Sequence, residues 1–127
     1  MSNVHLTASE WSVLDCLWEE SPQSVMQLVA KLGEKVGWAK STTITTLRRM
    51  EEKQLVCCNI VGKGKSYTPA VNKEEAAISE THSFLGRVYR GSVSLMMSAM
   101  AERQELTRDE IAELREILRK AEEGESK

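Results

Sequence analysis

The chain has 127 residues, 41% of them hydrophobic and 28% charged, which is the composition of one soluble domain with room for an appended helical segment. A large multidomain enzyme is excluded, and no uncharged apolar run approaches the ~20 residues that a membrane span needs. The start, Met1-Ser2-Asn3-Val4-His5, has neither the basic end nor the apolar core of a leader, so a cytoplasmic protein without membrane insertion is expected.

The net charge of −2 conceals an uneven distribution. Residues 1–34 set Lys31 against Glu10, Asp15, Glu19, Glu20 and Glu34, and residues 72–127 are also acidic overall. Residues 35–71 are the reverse: Lys35, Lys40, Arg48, Arg49, Lys53, Lys63 and Lys65 face only Glu51 and Glu52. A basic segment of this kind attracts phosphate even within a mildly acidic chain.

Taken in chain order, Thr7-Ala8-Ser9-Glu10 has the form of a capping box, followed by Trp11, Leu14, Leu17 and Trp18 at helical spacing, so a first helix is expected over 8–19. Ser21-Pro22 ends it. Ser24 is positioned to cap a second helix carrying Val25, Leu28, Val29, Leu32 and Val36, with Gly33 and Gly37 marking its fraying end and Trp38 in a connector.

The segment 41–54 contains Thr42-Thr43-Ile44-Thr45-Thr46, five β-branched residues whose propensity favours a strand. Against that, Ile44, Leu47 and Met50 recur every three residues, and 48–53 has no period-2 pattern and consists mostly of helix formers. A third helix is expected, with Thr43, Ile44, Leu47 and Met50 on one side and Thr42, Thr45, Arg48, Arg49 and Glu52 on the other.

Residues 55–61 and 66–71 read as two strands joined by Gly62-Lys63-Gly64-Lys65, a hairpin with a lysine-bearing tip. Pro69 has no N–H to give a ladder, so the second strand is expected at an edge or paired on one side there. From Asn72, a further cap, the text is helical: Ala77, Ile78, Phe84, Leu85, Val88 and Tyr89 lead to an interruption at Gly91. Leu95, Met96, Met97 and Met100 continue the apolar pattern. Thr107-Arg108-Asp109-Glu110 is a second capping box, opening a helix with Ile111, Leu114, Ile117 and Leu118 on one side and a frayed tail over 122–127. These stripes predict a dimerisation arm built on Phe84, Val88, Tyr89, Met96, Met97, Met100, Ile111, Leu114 and Leu118; the alternative is that they fold back on residues 1–71.

The fold class expected is therefore mainly α with a small β-hairpin: a winged helix-turn-helix domain over 1–71 followed by C-terminal dimerisation helices over 72–127. Short hydroxyls allow close approach to bases and phosphates, and arginines reach guanine edges or backbone oxygens. Thr42, Thr45, Arg48 and Arg49 supply both on the third helix, with Thr46 counted among the candidate contacts and Lys63 and Lys65 placed to meet phosphate from the hairpin. The alternative function is a winged-helix protein-interaction adaptor without sequence-specific DNA binding.

Other chemistry is not expected. Gly64-Lys65-Ser66 imitates the end of a phosphate-binding P-loop, but the required first glycine falls on Asn59 and Tyr67-Thr68-Pro69 cannot open the helix that would bind phosphate. His5 and His82 are isolated, and Cys16, Cys57 and Cys58 have no metal or redox spacing, so no metal, cofactor or disulfide framework is expected and the cysteines are read as packing residues. On a strand, one of Cys57 and Cys58 faces inward and the other outward. No catalytic constellation can be singled out, and an enzyme is not expected.

Leu6-Thr7-Ala8-Ser9-Glu10-Trp11 with Leu17-Trp18, then Trp38-Ala39-Lys40-Ser41-Thr42-Thr43, Leu47-Arg48-Arg49-Met50-Glu51-Glu52-Lys53 and Leu106-Thr107-Arg108-Asp109-Glu110-Ile111-Ala112-Glu113-Leu114 together resemble the penicillinase-repressor family of the BlaI/MecI/CopY type. The resemblance implies a homodimeric winged-helix repressor of transcription on an inverted-repeat operator in double-stranded DNA, with the third helix in the major groove through Ser41, Thr42, Thr45, Arg48 and Arg49 and the wing at residues 62–65. It also implies, for the β-lactam-responsive branch, a membrane sensor-protease system acting indirectly through cleavage of the arm. The family's Asn-Phe cut aligns with Ser98-Ala99-Met100-Ala101, which makes Ala99 and Met100 the candidate cleavage region although that pair is not present. Residues 72–127 lack the cysteine-rich motif of the copper-responsive branch, so copper sensing is not expected.

Overall fold

A computed structural model describes residues 5–125; the leader reading at Met1–Val4 and the last two residues of the tail lie outside the described residues. The elements run α1 (Ala8–Glu19), β1 (Gln23–Ser24), α2 (Val25–Val36), α3 (Lys40–Glu52), β2 (Val56–Val61), β3 (Gly64–Pro69), α4 (Lys73–Tyr89), α5 (Val93–Glu102) and α6 (Arg108–Glu125). They form two compact units, Met1–Thr81 and His82–Lys127, with the division inside α4.

In the first unit the capping chemistry fixes where the helices begin. The Thr7 hydroxyl accepts from the Glu10 amide at 3.1 Å while the Glu10 carboxylate accepts from the Thr7 amide at 2.9 Å. Ser24 and Gln27 make the same reciprocal pair at α2, at 3.2 and 2.8 Å. Each pair satisfies two of the amides that a helix leaves without partners in its first turn. At the other end of α1, the buried Gln23 side chain donates to the Cys16 and Glu20 carbonyls, which tethers the short β1 to the helix before it.

The core is one cluster of Val13, Leu14, Cys16, Leu17, Leu28, Leu32, Leu47, Met50, Leu55, Val56 and Tyr67. Trp18, Trp38 and Cys58 pack against it partly buried. The Trp18 indole meets Trp11 edge to face at 5.4 Å and donates to the Val71 carbonyl at 3.1 Å, pinning the end of the hairpin to α1. Burial of Thr43, Leu47 and Met50 settles the third segment as a helix against the strand propensity of its threonines. It ends two residues earlier than the pattern suggests because Gln54 turns into the left-handed region at φ 65°, letting the Leu55 amide close back on the Met50 carbonyl at 2.8 Å.

The sheet departs from expectation in two ways, a third strand and a tighter turn. It has three antiparallel strands in the order β1-β3-β2, because Gln23 and Ser24 pair with Tyr67 and Ser66. The strand carrying Pro69 is thus central, and Pro69 itself is paired on one side only, with Val56, beyond the reach of the two-residue β1, which is the second of the two placements expected for a residue with no N–H. The turn is also tighter than the four residues 62–65: Val61 pairs with Gly64 and Ile60 with Lys65, which leaves Gly62 at φ 63° and Lys63 as a two-residue reversal.

At the end of α2, Gly33 lies inside the helix and Gly37 at φ 72° closes it, while Val36 stays exposed instead of completing the apolar stripe. In α4 Ala76 and Leu85 are buried, whereas Ala77 and Ile78 are exposed.

In the second unit Arg90 (φ 52°) and Gly91 (φ 84°) end α4, and Ser92 caps α5 through the Leu95 amide. The Thr107–Glu110 capping box opens α6, with both hydrogen bonds present. The tail is helical as far as Glu125 rather than frayed from 122, in keeping with the ion pairs from Arg119 to Glu116 and Glu123 across successive turns.

One ion pair joins the ends of α1 and α3. Lys53 Nζ lies 2.6 Å from Glu10 Oε2, and the Glu10 side chain is only 5% exposed. Burial raises the Glu10 pKa, but the Lys53 hydrogen bond, the Thr7 amide and the Lys53 charge overcome it and hold the carboxyl below the usual range. A group depressed in the folded state adds stability above its unfolded pKa and loses it as pH falls through the folded value. Glu10→Gln is therefore expected to cost on the order of 1 kcal/mol at neutral pH, and its deficit against wild type should close below about pH 4. Thermal melts of both proteins from pH 7 to 3 check this; a pH-independent deficit would contradict it.

Candidate nucleic-acid interface

Because Thr43, Leu47 and Met50 are drawn into the core, the helical period turns Ser41, Thr42, Thr45, Arg48 and Arg49 outward, and all five are exposed. Thr46 is half-buried, and its hydroxyl donates to the Thr42 carbonyl at 2.8 Å, so its proton is already committed within the helix. Lys63 occupies the turn and Lys65 the start of β3, both exposed. Packing of α3 on β2 places helix and hairpin in one unit.

The basic character of residues 35–71 divides once the ion pairs are known. Lys35 is held by Glu19 at 2.7 Å and Lys53 by Glu10, both acids supplied from outside the segment. Among the described residues, Lys40, Arg48, Arg49, Lys63 and Lys65 form no ion pair. These are the cations of α3 and the hairpin. Sequence reasoning missed this division because both neutralising carboxylates sit in α1, more than a dozen residues upstream of the lysines they meet. Lys40 also went unremarked as a site residue, although its place at the start of α3 beside Ser41 could have suggested it.

Behind this surface the support is mostly apolar, with Leu47, Met50, Val56 and Tyr67 in the core. Burial, with the Cys58 thiol and the Glu51 carboxylate adding to it, pushes the Tyr67 hydroxyl up to about 12, so it remains a neutral donor where β3 crosses the core. Cys58 is half-buried beside Tyr67 in the strand register and Cys57 faces outward, in line with strand alternation.

In the second unit, Phe84, Val88, Ile111 and Leu118 are exposed, as are Val93, Leu95 and Ile117, which were not among the expected contact residues. Tyr89, Met96, Met97, Met100 and Leu114 are half-buried, and Phe84 meets Tyr89 edge to face at 5.9 Å. Val88, Tyr89, Arg90, Leu95, Ser98, Ala99 and Glu102 line an open hollow between α4 and α5. Ala99 and Met100 lie in the interior of α5, a helix with no fully buried residue.

Three helices, a two-stranded wing closed by a third short strand, and an outward row of hydroxyls and unpaired arginines define the winged helix-turn-helix class. The family model described as Penicillinase repressor matches residues 6–120, and the chain belongs to that family. The family is one of transcriptional repressors, not of enzymes. The chain is 27% identical over 113 residues to the penicillinase repressor of Bacillus licheniformis, covering 89% of this chain and 88% of that one. With the methicillin resistance regulatory protein MecI of Staphylococcus aureus (strain N315) it shares 24% over 115 residues, 91% of this chain and 94% of the other.

Among solved structures, the DNA-binding domain of the repressor BlaI aligns with a TM-score of 0.51 at 21% identity, over 55% of this chain and 85% of that domain. The monomeric form of Bacillus licheniformis BlaI in complex with the blaP half-operator aligns with a TM-score of 0.52 at 20% identity, over 58% and 90%. These two establish the winged-helix fold. No helix among the described residues is long and apolar enough to cross a membrane.

Proposed function

We propose that this protein is a cytoplasmic transcriptional repressor that binds an inverted-repeat operator as a homodimer, with residues 1–71 reading DNA and 72–127 joining the two copies. The observation that carries the DNA reading is the outward row of α3, where Arg48 and Arg49 form no ion pair among the described residues and stand beside Thr42 and Thr45. Guanidinium groups left free on a helix of groove-fitting diameter are available for guanine edges and phosphates. Lys63 and Lys65 add a second, sequence-independent hold on phosphate from the wing. The structure of Bacillus licheniformis BlaI in complex with the blaP half-operator supports the same assignment here.

Exposed Phe84, Val88, Ile111 and Leu118 support dimerisation through the second unit, since apolar faces of this extent are stabilised by a partner. A two-fold dimer requires half-sites spaced by about one helical turn or a multiple of it. Release of DNA by cleavage near Ala99 and Met100, through a sensor-protease system, would require α5 to unwind first. Its lack of fully buried residues keeps that cost low.

The test is a fluorescence-anisotropy titration of a labelled duplex library, including the region upstream of the protein's own operon, at two salt concentrations. Tight, sequence-selective, salt-sensitive binding is expected. Lack of binding even at low salt, together with salt-independent capture of a protein, would instead favour the adaptor reading.

A further inference from the structure

The hairpin carries an apolar side chain that the charge argument leaves unused. Ile60 is 74% exposed, the most exposed large apolar residue among the described residues. Strand alternation puts Val56, Cys58 and Ile60 on one face of β2, and their burial falls along that file as the strand leaves the core: Val56 is buried, Cys58 half-buried and Ile60 open. The cross-strand partner of Ile60 is Lys65, so the two side chains stand side by side on that face. Among the described residues Lys63 and Lys65 form no ion pair, and Asn59 and Ser66, the neighbouring pair in the register, are uncharged. An apolar group beside two free ammonium groups suits a surface that offers anions and hydrocarbon together. The minor groove offers both, with phosphates along its rims and deoxyribose C–H walls within.

We propose that Ile60 is a DNA-contacting residue of the wing, pressing on the sugar wall of the minor groove while the stem of Lys65 packs beside it and delivers its ammonium to the adjacent phosphate. This rests on the DNA-binding function proposed above. The wing then has two separable parts, an electrostatic hold that weakens with salt and an apolar hold that does not.

Titrations of one labelled duplex with the full chain at several salt concentrations separate them. Ile60→Ala is expected to weaken binding about 3- to 10-fold at every salt concentration with the slope of log K against log[salt] unchanged. Lys65→Ala should reduce that slope by about 0.9. Ile60→Lys should steepen the slope yet bind more weakly than wild type at high salt. Ile60→Val, with its branched surface kept, should restore most of the affinity and exclude misfolding as the cause. Wild-type affinity in Ile60→Ala overturns the proposal, as does Ile60→Lys binding at least as tightly as wild type throughout, or a loss in Ile60→Ala that tracks a change in sedimenting mass. Failure of the wild type itself to bind duplex at low salt would instead remove the DNA-binding function, and this contact with it.

Discussion

Leu47→Ala is expected to destabilise the protein by about 2–5 kcal/mol, because removing a fully buried leucine forfeits its transfer free energy and leaves a cavity that neighbours fill only in part. Leu47 is 1% exposed and sits mid-helix between Thr43 and Met50, so the lost volume lies where α3 seats on α1, α2 and β2. For a unit of this size the loss should lower the melting temperature by about 10 °C or more. Thr45→Ala, two residues away on the exposed face, should change stability by no more than about 0.5 kcal/mol. Calorimetry on the pair tests the assignment of the two faces. A Leu47→Ala penalty below about 1 kcal/mol would mean that α3 is not held by this core.

Arg49→Ala should leave stability nearly unchanged and weaken specific DNA binding by about 1–3 kcal/mol, a loss of roughly 5- to 150-fold, if its guanidinium meets a base edge. Its side chain is exposed in the last turn of α3 and has no carboxylate partner among the described residues, so truncation leaves no orphaned charge in the protein. The loss should be larger for the operator than for a scrambled duplex of the same length. Lys63→Ala offers the contrast, with a uniform loss across sequences and a flatter salt dependence. Unchanged affinity in Arg49→Ala would take that residue out of the reading set, and a sequence-selective loss in Lys63→Ala would contradict its phosphate role.

The two experiments probe the two sides of one helix, which is also where local and tertiary forces disagree. Residues 42–46 are all β-branched, and their intrinsic preference is for a strand. The three-residue recurrence of Ile44, Leu47 and Met50 carries the helix nonetheless, since burying that stripe outweighs a propensity cost of a few tenths of a kcal/mol per residue.

Periodicity and caps by themselves determined most of this chain's elements. Thr7 with Glu10, Ser24 and Thr107 with Glu110 mark helix starts within a residue, because a cap is a local hydrogen bond between groups close in sequence. The outward row Ser41, Thr42, Thr45, Arg48 and Arg49 was legible for the same reason, once the apolar stripe set the helical phase.

What only the tertiary structure decided are pairings between distant residues. Gln23 and Ser24 are too few to read as a strand, and they become one because β3, more than forty residues later, lies beside them. Lys53 appears as one more cation of a basic segment until Glu10 meets it across the end of α1. The narrow turn at Gly62 and Lys63 likewise follows from strand register, which turns Lys65 from a loop residue into the neighbour of Ile60. A pattern along the chain records which face of an element is apolar; which charges are cancelled and which strands are neighbours depends on contacts that close only in three dimensions.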